Sequence, residues 1–510
     1  MADKTKFIEE LNAKYQPKGE YIVLGKGMLD GEVITEVDVN IPLKTINRHG
    51  LIAGATGTGK TKTLQVFVEQ LSHKGIPTLV MDIKGDLSGI AVEGEQNDKI
   101  NERYAKTKLP YQPQSFPVEL MTISAEKGLK LRATVTEFGP VLLSKILGLN
   151  DTQSSIMSIV FKYADDKGLP LIDLDDLKKT LQYVTDNDEG KKELASNYGA
   201  ISPASLGAIL RSIVAMEQQG ATSFFGEPSF DVEDLLQTRG GKGVVNVLRV
   251  ADIQNQPQLF STFMLSLFAE IYMTFPEEGD SGKPKLVLFI DEAHLIFNEA
   301  SKALLSQIET MVKLIRSKGV GIYFITQIPG DVPENVLAQL GLKIQHALRG
   351  FTAKDRKEID KAVENYPITE YYDAGNLIQN LGIGEAFVTA LDEKGIPTPL
   401  VQTYLISPES RMDVLSSDEI DDLVNASDLA EKYNKEIDKE SAYEILTKRM
   451  ETAAAAEQEV KQEKSTARQP KEEQGMFEQV LKSRAGRTFT NTLAREGAKF
   501  VLGMFGLKMR

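Results

Sequence analysis

The residues able to do chemistry in this chain gather in two short runs more than two hundred positions apart. The first, Gly54-Ala55-Thr56-Gly57-Thr58-Gly59-Lys60-Thr61, fills the template G-x-x-x-x-G-K-[ST]. It lies between an apolar run, Leu51-Ile52-Ala53, and a helical pattern at Leu64, Phe67, Val68 and Leu71. Glycines let backbone fold closely round an anion, successive N–H groups point into the concavity, and a helix start adds the positive end of its dipole. Such a nest suits the phosphates of a nucleotide, with Gly54 to Thr61 and the following Lys62 as the cradle. Lys60 is expected to reach the β and γ phosphates, and the Thr61 hydroxyl to be one ligand of Mg²⁺.

The second run is Leu286-Val287-Leu288-Phe289-Ile290-Asp291-Glu292. Five apolar residues in succession predict a strand buried on both faces, with two acids at its end. Asp291 is placed to hold Mg²⁺, and Glu292 to orient and deprotonate a water attacking the γ-phosphate. Another buried strand, Val320 to Ile325, ends in Thr326-Gln327; a polar amide there is expected to sense the γ-phosphate. A last core strand, Leu342 to Leu348, releases Arg349. That arginine either reaches a neighbouring subunit's nucleotide, where it would neutralise transition-state charge, or pairs on the surface with Asp355 or Asp360. At the end of the strand Thr78 to Asp82, Asp82 and Lys84 face the nucleotide or form a loop ion pair; the residues alone leave both readings open.

The elements that must position these residues alternate between strand and helix. That order implies an α/β fold with a mainly parallel sheet. Residues 1–48 read as a small N-terminal β element, and 49–86 with 238–407 as the ATPase core. Between them, 87–237 carries helical stripes such as Leu174, Leu177 and Leu181, so a large, mostly helical insertion with its own small core is expected. The runs Gly382 to Thr389 and Thr398 to Ile406 read as two strands closing the sheet edge. Residues 408–450 form an acidic helical extension, and 451–474 a charged linker without hydrophobic periodicity. From 475 to 510 the sign reverses: Lys482, Arg484, Arg487, Arg495 and Lys499 interleave with Phe477, Phe489, Phe500 and Phe505. This basic amphipathic tail is suited to nucleic acid, an anionic membrane surface or a neighbouring subunit, or to its own protein.

With 510 residues the chain exceeds what one core can organise. It contains no cysteine and four histidines, which excludes disulfides and thiolate-bound metals and leaves little material for a zinc site. A formal net charge of -14 argues against a surface that coats polyanions without specificity, while leaving room for a local basic channel. No apolar run approaches a membrane span, the first ten residues are charged, and the cytoplasm is the expected compartment.

Taken together, Gly54 to Thr61, Asp82-Ile83-Lys84-Gly85-Asp86, Leu286 to His294, Thr326-Gln327 and His346-Ala347-Leu348-Arg349-Gly350 resemble the HerA/FtsK superfamily of P-loop motor ATPases. The phrases Asn47 to Ile52, Phe224-Phe225-Gly226-Glu227-Pro228 and Arg316 to Gly321 are similar to YjgR-type HerA-like bacterial proteins. The resemblance spans about residues 20–450. It implies a RecA-like core, dependence on ATP and Mg²⁺, assembly as a homo-oligomeric ring, and a role in moving along or remodelling DNA. By the same resemblance Lys60 and Thr61 hold nucleotide, Asp291 and Glu292 serve as metal and base residues, Gln327 is the sensor and Arg349 the finger. HerA proper begins with a substantial β-barrel, whereas fewer than 50 residues precede the phosphate strand here. A second function class is also expected from the residues: an ATP-dependent assembly switch or scaffold that acts on a protein partner without translocating DNA.

Overall fold

In the computed structural model, which describes residues 3–452 apart from 254, 255, 280, 300, 301, 436 and 438, short unbroken apolar runs build the centre of one large sheet. The strands are β1 (Tyr21–Leu29), β2 (Glu32–Pro42), β3 (Gly50–Ala53), β4 (Thr78–Asp82), β5 (Val118–Thr122), β6 (Leu129–Lys130) and β7 (Thr238–Arg239). They continue with β8 (Lys242–Gly243), β9 (Val245–Arg249), β10 (Leu286–Ile290), β11 (Val320–Thr326), β12 (Leu342–Gln345), β13 (Glu385–Thr389) and β14 (Val401–Leu405). Apart from the small β7–β8 hairpin, they form a 12-stranded sheet in the order β2-β1-β14-β13-β12-β3-β11-β10-β4-β9-β5-β6. From β12 through to β6 all neighbours are parallel; from β12 outwards to β2 all are antiparallel. β10 and β11 are buried along their whole lengths, as parallel strands covered on both faces must be. The α/β fold with a mainly parallel sheet is therefore the one expected from the residues.

The described residues divide into two compact units, 3–132 with 229–435, and 133–228 with those from 437 to 452. In the first, helix α1 (Lys4–Tyr15) starts at Asp3, whose carboxylate accepts from the N–H groups of Thr5 and Lys6. Its Phe7, Leu11 and Tyr15, spaced at one turn, are buried. The segment read as a small β element supplies β1 and β2, and β1 pairs with β14, so the first long strand and the last lie side by side. Helix α2 (Lys60–His73) follows the glycine loop, and α3 (Asp98–Thr107) lies within the stretch assigned above to the insertion. That stretch also supplies β5 and β6 to the sheet, so the helical unit begins at Ala133 rather than near residue 87. β5 is as long and as fully buried as β10, so its place in the sheet rather than its strand character was hidden, while the edge strand β6, at 2 residues, is too short to carry a period.

The second unit holds α4 (Val135–Ile146), α5 (Asp151–Lys167), α6 (Leu174–Asp186), α7 (Asp188–Tyr198) and α8 (Pro203–Gln218). α4 bends at Gly139-Pro140. Thr134, Asn150 and Asp173 cap α4, α5 and α6 through reciprocal capping boxes. Leu177 and Leu181 of α6 are fully buried, as are Ala442 and Leu446 from the far end of the chain. The N–H of Ala442 donates to the Pro170 carbonyl at 2.9 Å and that of Tyr443 to Asp176 Oδ1 at 2.8 Å. The acidic extension read as one piece over 408–450 thus splits at Lys435, its first part belonging to the sheet unit and its second to the helical one. Among the described residues no single helix is long and apolar enough to cross a membrane. The linker from residue 453 and the basic tail over 475–510 lie outside the described residues.

Candidate nucleotide and metal site

β3 delivers the glycine loop. Gly54 adopts φ +153°, and a Cβ built there would stand 2.5 Å from the Cβ of His346, so both the conformation and the close approach call for glycine. Gly57, at φ +78°, has open space around it, and Gly59, at φ +109°, is the N-cap of α2. Backbone ties hold the loop to its neighbours: the Gly54 N–H donates to Thr326 O at 3.3 Å and the Ala55 N–H to Ala347 O at 2.8 Å. The buried Lys60 folds back over the loop, its Nζ donating to Gly54 O at 2.5 Å and Ala55 O at 3.1 Å. Burial holds the Lys60 pKa below the usual lysine value, and the charge of Lys84 adds to the effect. Thr56 and Gly57 are exposed, Thr58 bonds back to Ala55 O at 2.7 Å, and Thr61 is half-buried in the first turn of α2. The side chain of Lys62 turns away to Met412 O at 2.5 Å, so only its backbone belongs to the cradle.

The two acids stand one strand away. β11 lies between β3 and β10, with Ala53 opposite Thr326 and Ile290 opposite Phe324, so the loop and the acids emerge at the same ends of parallel strands. Asp291 is 3 % exposed and Glu292 8 %. Glu292 adopts φ +46°, a region that residues with side chains seldom enter outside functional turns. Burial pushes the Asp291 pKa up to about 7, with Lys84 opposing the rise and Glu292 adding to it. Lys84 Nζ lies 2.5 Å from Glu292 Oε1 and 3.9 Å from Asp291 Oδ2. The other oxygen of Glu292 is 3.2 Å from His294 Nδ1, outside hydrogen-bond geometry, and among the described residues it has no hydrogen-bond partner.

Asp82 does not face this site. Its carboxylate turns back on its own loop, accepting from Gly85 N at 2.7 Å, Asp86 N at 3.2 Å and Leu87 N at 3.1 Å. An aspartate at a strand end satisfies exposed N–H groups of the following turn more readily than it reaches across to a ligand, and here that arrangement sets the position of Lys84. Gln327 is exposed directly after β11, beside Thr326, whose hydroxyl donates to Asp331 Oδ2 at 2.5 Å. Arg349, also exposed, donates to the carbonyl of Gln379; the Asp355 that was its alternative partner instead accepts from the N–H groups of Phe351 and Thr352. A further residue escaped the reading of the sequence. Arg103 of α3 donates to the carbonyls of Leu405 (2.7 Å), Gly384 (3.2 Å) and Ile383 (3.1 Å), fixing a loop whose Gly384 N–H donates to Thr58 O at 3.3 Å. Its signal is only a lone arginine on a polar helix, legible only once the fold is known.

The donors fit a magnesium nucleotide. Two buried carboxylates, one with an oxygen left without a hydrogen bond, call for positive charge, and the amide-rich loop beside them calls for an anion. Among the described residues no group of three or more His, Cys, Asp or Glu side chains could by itself hold a metal ion.

Comparison with known proteins places this arrangement. The family model described as helicase HerA-like C-terminal matches residues 29–506. The DNA double-strand break repair helicase HerA of Saccharolobus solfataricus is 22% identical over 385 residues, covering 74% of this chain and 68% of that protein. The bacterial conjugative coupling protein TrwBdeltaN70 superposes with a TM-score of 0.51 at 15% identity, covering 80% of this chain and 94% of that one. VirB4 of Thermoanaerobacter pseudethanolicus gives 0.47 at 16% identity, over 76% and 97% of the two chains.

Proposed function

The chain belongs to the helicase HerA-like C-terminal family of P-loop ATPases, and from that premise we propose that it hydrolyses ATP with Mg²⁺ and couples the hydrolysis to moving or remodelling DNA as a homo-oligomer. The observation that carries the reading is the shared strand end: the glycine loop, the buried acid pair and Gln327 emerge from the consecutive sheet neighbours β3, β10 and β11. Support for DNA as the coupled partner comes from the matched family and from the printed name of its archaeal relative.

In this reading the loop amides and Lys60 bind and orient the triphosphate. Lys60 leaves the carbonyls of Gly54 and Ala55 for the phosphates, a charge-assisted exchange favoured by the low dielectric of its site. Thr61 and Asp291 would hold Mg²⁺, which would supply positive charge against the phosphates. Glu292 takes the proton of the attacking water, Gln327 contacts that water or the γ-phosphate, and Arg349 acts across a subunit interface.

The test is the ATPase rate with and without single- and double-stranded DNA, together with DNA binding across a salt series. Stimulation with a steep salt dependence is expected. A rate indifferent to both DNAs, with no salt-sensitive binding, rejects the coupling and favours the second reading, an ATP-driven assembly switch acting on a protein partner. The net charge of -14 is the observation on that side.

A further inference from the structure

We propose that Lys84 is an internal counter-ion of the acid pair, holding the cation position between Asp291 and Glu292 and yielding it only to a metal that arrives with a nucleotide. The inference rests on the reading of Asp291 and Glu292 as the acids that face a bound nucleotide.

Two consecutive carboxylates, each more than nine-tenths buried, repel one another in a medium that screens charge poorly. Such a pair is strongly destabilising unless a cation sits between its members. Lys84 supplies that cation, with its Nζ 2.5 Å from one acid and 3.9 Å from the other. Its placement is built into the loop. Three backbone N–H groups of residues 85–87 converge on the Asp82 carboxylate, and the turn passes through Gly85 at φ +74°. The left-handed conformation of Glu292 presents its carboxylate to Lys84 and leaves the second oxygen without a hydrogen bond. One oxygen of the acid is therefore taken by an ammonium, and the other, buried 3.2 Å from His294 Nδ1, keeps an unused acceptor capacity.

This arrangement makes metal entry an exchange. A free divalent ion gains the carboxylates only by displacing the ammonium from both of them, leaving Lys84 with Asp86 alone among its acidic neighbours. A triphosphate in the glycine loop offers it a new anionic partner, because Lys84 and Lys60 approach the same acids from β4 and β3, on either side of β10 and β11. The lysine is thus a positioning residue that couples metal arrival to nucleotide arrival and keeps Glu292 from acting as a base before both are present.

Mn²⁺, read by electron paramagnetic resonance with the full-length protein, tests this without reference to turnover. Lys84→Met, which keeps the length of the side chain and removes its charge, is expected to bind free Mn²⁺ at least about tenfold tighter than wild type in the absence of nucleotide. Mn²⁺ is further expected to raise the melting temperature of that variant and to leave wild type unchanged, and Lys84→Arg is expected to behave as wild type. Equal Mn²⁺ affinity in Lys84→Met and wild type overturns the counter-ion role. If Lys84→Met does not fold, Lys84→Arg still decides: Mn²⁺ binding gained despite the retained charge overturns the proposal, and wild-type weakness supports it. Binding of Mn²⁺·ATP by wild type separates the two layers, since its absence overturns the nucleotide reading, whereas its presence with no gain in Lys84→Met overturns only the exchange.

Discussion

The Nε2 of His346 lies 2.9 Å from the hydroxyl of Thr63, joining the end of β12 to the first turn of the helix that follows the glycine loop. The ring is wholly buried, and burial, with the charge of Lys60 adding to it, pushes its pKa down to about 3. The folded value lies below that of an unfolded histidine, about 6.5, so unfolding takes up a proton. The contribution of the neutral ring is therefore complete above pH 6.5 and lost as the pH falls from there toward 3. His346→Asn removes this dependence. Its destabilisation relative to wild type is expected to shrink by about 2 kcal/mol between pH 7.5 and pH 5, as measured by denaturant unfolding at each pH. A constant difference across that range contradicts a neutral, buried His346.

The loop above that ring makes an unequal demand on its glycines. Gly57→Ala meets only the cost of a left-handed conformation, about 1 kcal/mol. Gly54→Ala adds to that cost a collision with His346, for a loss of about 3 kcal/mol. Denaturant midpoints of the two variants, measured beside ATP affinity, check the ranking. Equal losses would mean that the loop moves freely away from β12.

Lys60→Ala and Glu292→Gln are expected to fail in different ways. The first removes a charge that holds phosphate and loses nucleotide affinity. The second keeps ATP bound while turnover falls by about 10² to 10⁴. Binding by fluorescence and single-turnover hydrolysis separate the two. Loss of binding to the same degree in both variants would contradict the assignment of Glu292 as base.

Arg349 stands exposed, bonded to the Gln379 carbonyl within its own chain. If it serves a neighbour, Arg349→Ala subunits mixed with Glu292→Gln subunits recover part of the ATPase rate, because intact bases then meet intact arginines across the interface. Recovery is expected, against a background loss of about 10³ or more in either variant alone. No recovery at any mixing ratio would confine Arg349 to its own subunit.

Much of the site was legible in order along the chain. Gly54 to Thr61 declare a loop because Gly54, Gly59, Lys60 and Thr61 fall at the template's fixed positions between an apolar run and a helical pattern. Asp291 and Glu292 declare a strand end because five apolar residues precede them. The helical character of the stretch after Ala133 showed in its leucine spacing. Other parts did not show. Arg103 reaches its carbonyls some 280 to 300 positions away, Asp82 was free on paper to face either way, and β6, at 2 residues, is too short to carry a period.

Contiguous sequence determined which residues form the glycine loop and which strand carries the acids, because those demands are met inside a single element by backbone conformation and burial. Only the tertiary structure decided that β11 lies between them, that β1 closes on β14, and that Lys84 lies against Asp291 and Glu292. Lateral strand order and charge pairing follow from how whole elements pack, and no local spacing of residue types encodes that.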